Sequence, residues 1–344
     1  MHHFRYSFLI SLAGLGLAAW WGHSIAGTAG AIEAVSMAAI LCIMEISLSF
    51  DNAIVNASIL KNWSQFWQNL FLTLGMFIAV FGMRLLFPLL IVAFAADLSL
   101  LDVWKMGLDR PAEYAQHLTE HHTEVAVFGG MFLLLVFLNF ILDDEKKLHW
   151  LGAVEKKIAS FGKVTSIALM IAISVLLSSL AMVEENRQLV VLISGLWGIL
   201  TYVAVDVVSS ILEMEEEDPK VGDMIKRGGV GGFLYLEMLD ASFSFDGVIG
   251  ALAITKDIII IMIGLAIGAM FVRSMTVYLV RQGTLDKFVF LEHGAHYAIG
   301  ILAIIMLASM KFHIPEVFTG LIGVAFILAS LWSSIIYKQK QDVV

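Results

Sequence analysis

The sequence predicts an all-α, polytopic membrane protein of about ten transmembrane helices, built as two inverted five-helix repeats. Three observations lead there. Hydrophobic residues make up 59% of the 344 and charged residues 15%, well below the roughly 25% charged of a soluble domain. Apolar runs long enough to cross a bilayer, about 20 residues, recur along the chain. One acidic motif occurs twice, as EISLSFDNAI at 45–54 and DASFSFDGVI at 240–249.

Polar breaks delimit apolar runs at 4–22, 30–60, 69–96, 125–142, 164–183, 189–212, 230–255, 257–281, 289–310 and 315–337, each read as one helix. The first run has the basic start of a secretory signal, but residues 4–21 are long enough to remain as a span. The run 30–60 would measure about 46 Å as a helix, against a hydrocarbon core of about 30 Å. It must tilt, protrude or break. Pro88 lies inside the third run and predicts a kink, whereas Pro111, Pro219 and Pro315 fall in breaks or at a helix start.

Basic residues set the orientation. With the N-terminus inside, loop 143–163 places Lys146, Lys147, Lys156, Lys157 and Lys163 in the cytoplasm, joined by Lys220, Lys226 and Arg227 in a later loop. All the outer loops together hold only Lys105, Arg110, Arg187, Lys256 and Lys311. This bias favours ten spans with both termini cytoplasmic. The single cysteine, Cys42, excludes an intrachain disulfide framework. The net charge of −9 leaves no basic footprint for nucleic acid. The expected partners are the lipid bilayer and metal ions, and the sequence leaves a homo-oligomer open.

The two motif copies share Ser, Ser, Phe, Asp and Ile, and each starts with an acid. Gly75 precedes Arg84 by nine residues, as Gly264 precedes Arg273. Such self-similarity marks a duplication, with residues 1–183 as the first repeat and 189–337 as the second, in one integral membrane domain. Five helices per half makes the motif helices cross in opposite directions. Inverted repeats of this kind place ion sites near the midplane, at the repeat interface.

On an unbroken helix Glu45, Ser49, Asn52 and Asn56 share a face, with Asp51 about 120° away. In the second copy Glu237, Asp240, Ser244 and Gly247 share one face, and Ser242 and Asp246 another. Breaks near Asp51–Asn52 and Asp246–Gly247 would bring both sets to one point. Each buried charge costs at least a few kcal/mol. Arg84 and Arg273 are expected to offset two of the five acids; bound cations or protons must offset the rest. The candidate metal ligands are therefore Glu45, Ser49, Asp51, Asn52, Glu237, Asp240, Ser244 and Asp246. Oxygen donors of this kind suit Mg²⁺, Ca²⁺ or Mn²⁺ better than Zn²⁺ or Cu⁺. The competing reading is structural, with the acids only pairing with the arginines and holding helices together.

Weaker candidates lie elsewhere. His293 and His296, in EHGAH, share a helix face and are candidates for an ion path or proton relay; the string is not HExxH and gives no zinc protease. Glu113, His117, Glu120, His121, His122 and Glu124 fall in an outer loop, 97–124, read as solvated, as is the acidic run 213–218. Asn139 and Asp206 are candidates to join the polar centre.

The strings EISLSFDNAIV and LEMLDASFSFDGVIGALAIT, with GAMFVRSMTVYLV at 268–280 and LEHGAHYAIG at 291–300, resemble the TerC-like integral membrane proteins. The resemblance covers about residues 30–310. It is closest to a bacterial branch classed as a domain of unknown function, within the LysE-like transporter superfamily. It implies a bacterial inner-membrane location and metal-ion roles for Glu45, Asp51, Asn52, Asp240 and Asp246. Gly247 stands where the first copy has Asn52, so the halves need not contribute equally. The family's better-understood members are linked to manganese efflux, tellurite resistance and metal stress. The expected function is not enzymatic: a secondary transporter exporting a divalent cation as substrate, Mn²⁺ favoured, with Ca²⁺ or Mg²⁺ as alternatives. The rival readings are a metal-sensing membrane scaffold and an intramembrane aspartyl protease using Asp51 and Asp246 as a dyad.

Overall fold

A computed structural model describes residues 4–163, 166–212, 228–281, 288–312 and 314–341; side chains at 94–96, 163, 206, 208–212, 245–246, 316–317 and 341 lie outside the description. Helix α1 (Arg5–Leu48) leaves helical geometry at Ala26 (φ −137°) and Gly27 (φ 65°, ψ −149°). Glycine takes such a positive φ without strain. Beyond this point Gly22 and Gly30 lie backbone against backbone, and Gly22 also meets Ala34. On a straight helix residues 22 and 34 would be about 18 Å apart, so the chain folds back here. The two arms correspond to the first apolar run and the start of the second.

The second arm continues into α2 (Phe50–Leu60) across a distortion at Ser49 (φ −102°, ψ 13°). The Ser49 amide still donates to the Glu45 carbonyl at 3.0 Å, and the Ala53 amide to the Ser49 carbonyl at 3.1 Å. The expected interruption is thus a bend, two residues before Asp51. The third run starts as α3 (Gln65–Leu70), passes through π-helical turns at Phe71–Gly75 and Ile78–Leu86, and ends as α4 (Phe87–Ala96). Pro88 falls in the first turn of α4. It cannot donate to the preceding turn, and the widened turns run up to it.

The region 97–124 is not the solvated loop expected. It forms α5 (Leu100–Asp109) and α6 (Pro111–Glu120), followed at once by α7 (His122–Ile141). Val103, Met106, Tyr114 and Leu118 are buried in one cluster with Ala251 and Ile258. Their spacings of three and four residues make an apolar stripe on each short helix, which the polar composition of the segment conceals.

The chain continues as α8 (Ala153–Ala159), α9 (Ile167–Ser179), α10 (Glu185–Leu212), α11 (Val230–Ile254), α12 (Ile258–Arg281), α13 (Leu291–Ala308) and α14 (Glu316–Gln341). Among the described residues there is no strand, and seven helices are long and apolar enough to cross a membrane. Leu12, Trp20, Ile32, Met170, Trp197 and Trp332 point outward, as befits a surface solvated by lipid. Both arms of α1 pack on α12, where Gly14 meets Ile267 and Gly264 meets Leu41. A larger cluster joins α7, α10 and α13 to α2 and α11. The motif helix α11 therefore joins both cores, while α2 belongs to the larger one.

Candidate functional site

Glu45, in the last turn of α1, is 1% exposed. Its Oε1 accepts a hydrogen bond from Ser49 Oγ at 2.7 Å and closes an ion pair with the Arg84 guanidinium. Arg84 comes from the second π-helical turn and also donates to the Ala79 carbonyl at 2.8 Å. Two glycines make room for Glu45. A side chain at Gly268 of α12 would strike Glu45 Cβ and Cγ, and one at Gly247 of α11 would begin 3.1 Å from Glu45 Oε2. The break expected at Asp246–Gly247 is absent, because α11 runs helical throughout. Gly247 serves close approach instead.

One helical turn further on, Asn52 and Asn56 both donate to Asp240 Oδ1, at 2.6 and 2.9 Å. This joins α2 to α11 through one carboxyl oxygen. Asp240 also lies within electrostatic range of Arg84 and Glu45. Among the described residues, five buried oxygens here have no hydrogen-bond partner: Asn52 Oδ1, Asn56 Oδ1, both oxygens of Glu237, and Ser244 Oγ. Glu237, Asp240 and Ser244, three and four residues apart, share a face of α11. Glu237 packs against Gly75 of the first π-helical turn.

Asp51 goes elsewhere. Successive residues of a helix diverge by about 100°, so Asp51 turns away from Asp240 while Asn52 faces it. Asp51 Oδ1 accepts the Asn52 amide at 3.0 Å. The side chain lines a cavity of about 40 Å³ with Leu48, Phe243, Leu302, Thr319 and Gly323, enough for a water molecule. The expectation that Asp51 joins Glu45 and Asp240 at one point is therefore corrected: the bend at Ser49 is too slight to rotate it inward.

Arg273 also departs from expectation. Its Nε donates to the Leu72 carbonyl at 2.5 Å, and no carboxylate is among its partners in the described residues. The matched spacing puts both arginines beside the motif helices, yet only Arg84 meets an acid. Asn139 bonds back to the Leu135 carbonyl of its own helix at 2.9 Å and does not join the centre. The side chains of Asp206 and Asp246 and the run 213–218 lie outside the described residues. Among the described residues no three His, Cys, Asp or Glu side chains converge on a metal-sized point. In the outer segment, His117 lies 3.8 Å from Glu120 and His121 3.8 Å from Glu124, as separate partly exposed pairs.

His293 and His296 stand apart from the acidic centre. His293 Nε2 bonds to the Leu148 carbonyl at 3.0 Å and lies 3.5 Å from Glu155 Oε1, whose other partner, Lys146 Nζ, is 2.6 Å away. His296 stacks on Phe140, ring centroids 3.9 Å apart. Glu155 is fully buried but lies outside the seven spanning helices. Burial pushes its carboxyl up, but Lys146, the Leu151 amide and His293 together hold it below the ordinary value. Sequence reasoning passed over Lys146 and Glu155, since nothing in EKKLHW or AVEKKIA says that one Lys and one Glu are buried together.

The family described as "Protein of unknown function (DUF475)" matches residues 50–341, a stretch that includes both Ser-Phe-Asp copies bar Ser49, with Arg84 and Arg273. The "Uncharacterized membrane protein YceF" of Bacillus subtilis (strain 168) is 32% identical over 108 residues, 31% of this chain and 41% of that protein. The chain thus spans about two fifths of the curated relative it matches. No solved structure matches. With the family match running over most of its length, this chain belongs to the DUF475 family of TerC-like membrane proteins.

Proposed function

We propose that this protein is a secondary transporter for a divalent cation, which binds between α2 and α11. The observation that carries the reading is a shortage of positive charge beside unsatisfied oxygens. Of the buried carboxyls described on the motif helices, Glu45 pairs directly with Arg84, whereas Asp51, Glu237 and Asp240 form no ion pair among the described residues, Asp240 feeling Arg84 only at longer range. Among the described residues Asn52 Oδ1, Asn56 Oδ1, Ser244 Oγ and the Glu237 oxygens have no hydrogen bond. A buried polar atom without a partner is costly, and a cation would satisfy several at once. The donors are carboxyl, amide and hydroxyl oxygens, which favours Mn²⁺, Mg²⁺ or Ca²⁺ over thiophilic ions. The resemblance of the motifs puts Mn²⁺ first, as exported substrate.

On this reading the chain makes ten crossings of a bacterial inner membrane, both termini cytoplasmic, and α2 and α11 belong to inverted repeats. Two contacts support the repeat relation. Glu45 of the first motif helix packs on Gly268 of α12, and Glu237 of the second on Gly75 of the third run. Each motif helix thus lies against the helix that follows the other motif. Rocking of one repeat against the other would open the site alternately to the two sides.

Mn²⁺, Mg²⁺ and Ca²⁺ flux into proteoliposomes is the test. The parent should carry at least one of these ions, and Asp240→Asn should lose most of that flux. Equal flux in both, or none in the parent, would end the proposal.

A further inference from the structure

The Lys146 ammonium is held as a bound cation would be. Glu155 Oε1 lies 2.6 Å from it, the Phe140 carbonyl accepts from it at 3.1 Å, and the Phe140 ring centroid is 4.1 Å away. Two further polar groups, Tyr297 and His293, stand beside it. Tyr297 faces Glu155, its buried hydroxyl turned toward that carboxylate. His293 Nε2 is 3.5 Å from Glu155 Oε1, and its buried Nδ1 has no partner among the described residues. His293 Nε2 now donates to the Leu148 carbonyl at 3.0 Å; binding an ion exchanges that bond for a metal contact, with the ring proton moved to Nδ1.

The position of this cluster matters as much as its chemistry. His293, Tyr297 and Ile301 follow one another on one face of α13, four residues apart. Across from them on α14, Gly294 meets Ser330, Tyr297 stacks on Phe326, and Ile301 shares the Asp51 cavity with Gly323. The Lys146–Glu155 pair therefore caps the seam between α13 and α14. The Asp51 cavity lies about two helical turns, roughly 12 Å, further along it. The Tyr297–Phe326 ring pair lies between them along the seam.

We propose that Glu155, His293, Tyr297 and the Phe140 carbonyl form an entry site for a divalent cation at the end of this seam, and that Lys146 is its built-in plug. The proposal rests on the transport reading for its direction: loop 143–163 then faces the cytoplasm, and an exported ion arrives there first. The site itself needs only the local geometry. A carboxylate, an imidazole, a phenol and a carbonyl suit an ion such as Mn²⁺. Withdrawal of Lys146 exposes them, and its return expels the ion toward the seam.

The experiment counts Mn²⁺ bound to the purified full chain by the spin-resonance signal of free Mn²⁺. Lys146→Met should bind one more Mn²⁺ per chain than the parent, and Lys146→Met with Glu155→Gln should return to the parent number. The melting temperature gives a second readout: Mn²⁺ should raise it more in Lys146→Met than in the parent. Where the Met variant does not fold, Lys146→Gln, which keeps a hydrogen-bond donor, replaces it. An unchanged count and an unchanged metal response in the folded variant would overturn the entry site. If the parent carries no metal across liposomes yet the variant gains its ion, the transport reading fails and the entry site stands. If the parent transports and the variant gains nothing, the entry site alone falls.

Discussion

Glu45 and Arg84, on different apolar runs, form an ion pair from which water is almost excluded, with side chains 1% and 8% exposed. Removing one partner of such a pair strands a buried charge and costs about 3–5 kcal/mol, whereas replacing both with apolar or neutral groups is far milder. Arg84→Met should therefore destabilise the protein by an amount in that range. Glu45→Gln added to Arg84→Met should recover most of it. Thermal melting in detergent checks this. Additive losses would show that the two groups are not coupled.

The glycines around Glu45 give a steric prediction. A methyl group at Gly268 would lie 2.6 Å from Glu45 Cγ and 2.9 Å from the Cys42 carbonyl, whereas Gly16 has open space around it. Overpacking of this kind typically costs about 1–3 kcal/mol. Gly268→Ala should lower the melting temperature clearly and Gly16→Ala should not. Equal effects would mean that the glycines matter only through helix propensity.

Glu155 predicts a pH dependence. Its folded carboxyl lies below the ordinary glutamate value of 4.5 because Lys146 and the Leu151 amide favour the charged form over the opposing effect of burial. A depressed value stabilises the fold fully above the ordinary value, and that stabilisation is lost as pH falls through the folded one. The melting-temperature advantage of the parent over Lys146→Met should thus be full near neutrality and shrink as pH drops below about 4.5. An advantage constant between pH 7 and pH 4 would mean that Lys146 acts through packing on Phe140 alone.

How far the sequence reached follows from what each feature depends on. The presence of several long helices was legible because the apolar runs are long and bounded by polar breaks, although seven rather than ten helices are long and apolar enough to cross a membrane among the described residues. The runs 230–255 and 257–281 became Val230–Ile254 and Ile258–Arg281. The fold-back at Gly27 lay in the gap between the first two runs. The π-helical turns were not legible, since a widened turn changes no residue type. Faces were legible too: Asn52 and Asn56 do point the same way. What stands opposite a face was not. Periodicity cannot tell that Asp240 meets both asparagines, that Arg273 meets a carbonyl, or that Gly247 accommodates Glu45 rather than breaking α11. Lys146 and Glu155 escaped for the same reason, because His293, which closes over them beside Leu148, comes from a distant part of the chain.

The separation of Asp51 from Asp240 makes the sharpest functional prediction. Both are buried acids in the duplicated motifs, but Asp240 faces the unsatisfied oxygens of Asn52, Asn56 and Glu237, whereas Asp51 faces the cavity by Gly323. If the cation binds between α2 and α11, Asp240→Asn removes a charge from the ion's own ligand set. At an effective dielectric of about 20, a carboxylate about 4 Å from a divalent ion gains roughly 8 kcal/mol before desolvation. Most of this is offset by stripping water from both groups. A residual loss of about 3 kcal/mol still weakens binding by more than a hundredfold. Asp51→Asn leaves that ligand set intact. It should reduce the equilibrium affinity for Mn²⁺ less than tenfold, even where it slows flux through the α13–α14 seam. Asp102→Asn, at the exposed start of α5 beside Ser99, should change neither. Calorimetric affinities for the three variants, read beside their flux in proteoliposomes, decide the matter. If Asp51→Asn abolishes binding and Asp240→Asn does not, the ion sits in the cavity by Gly323, and the α2–α11 oxygens have another use.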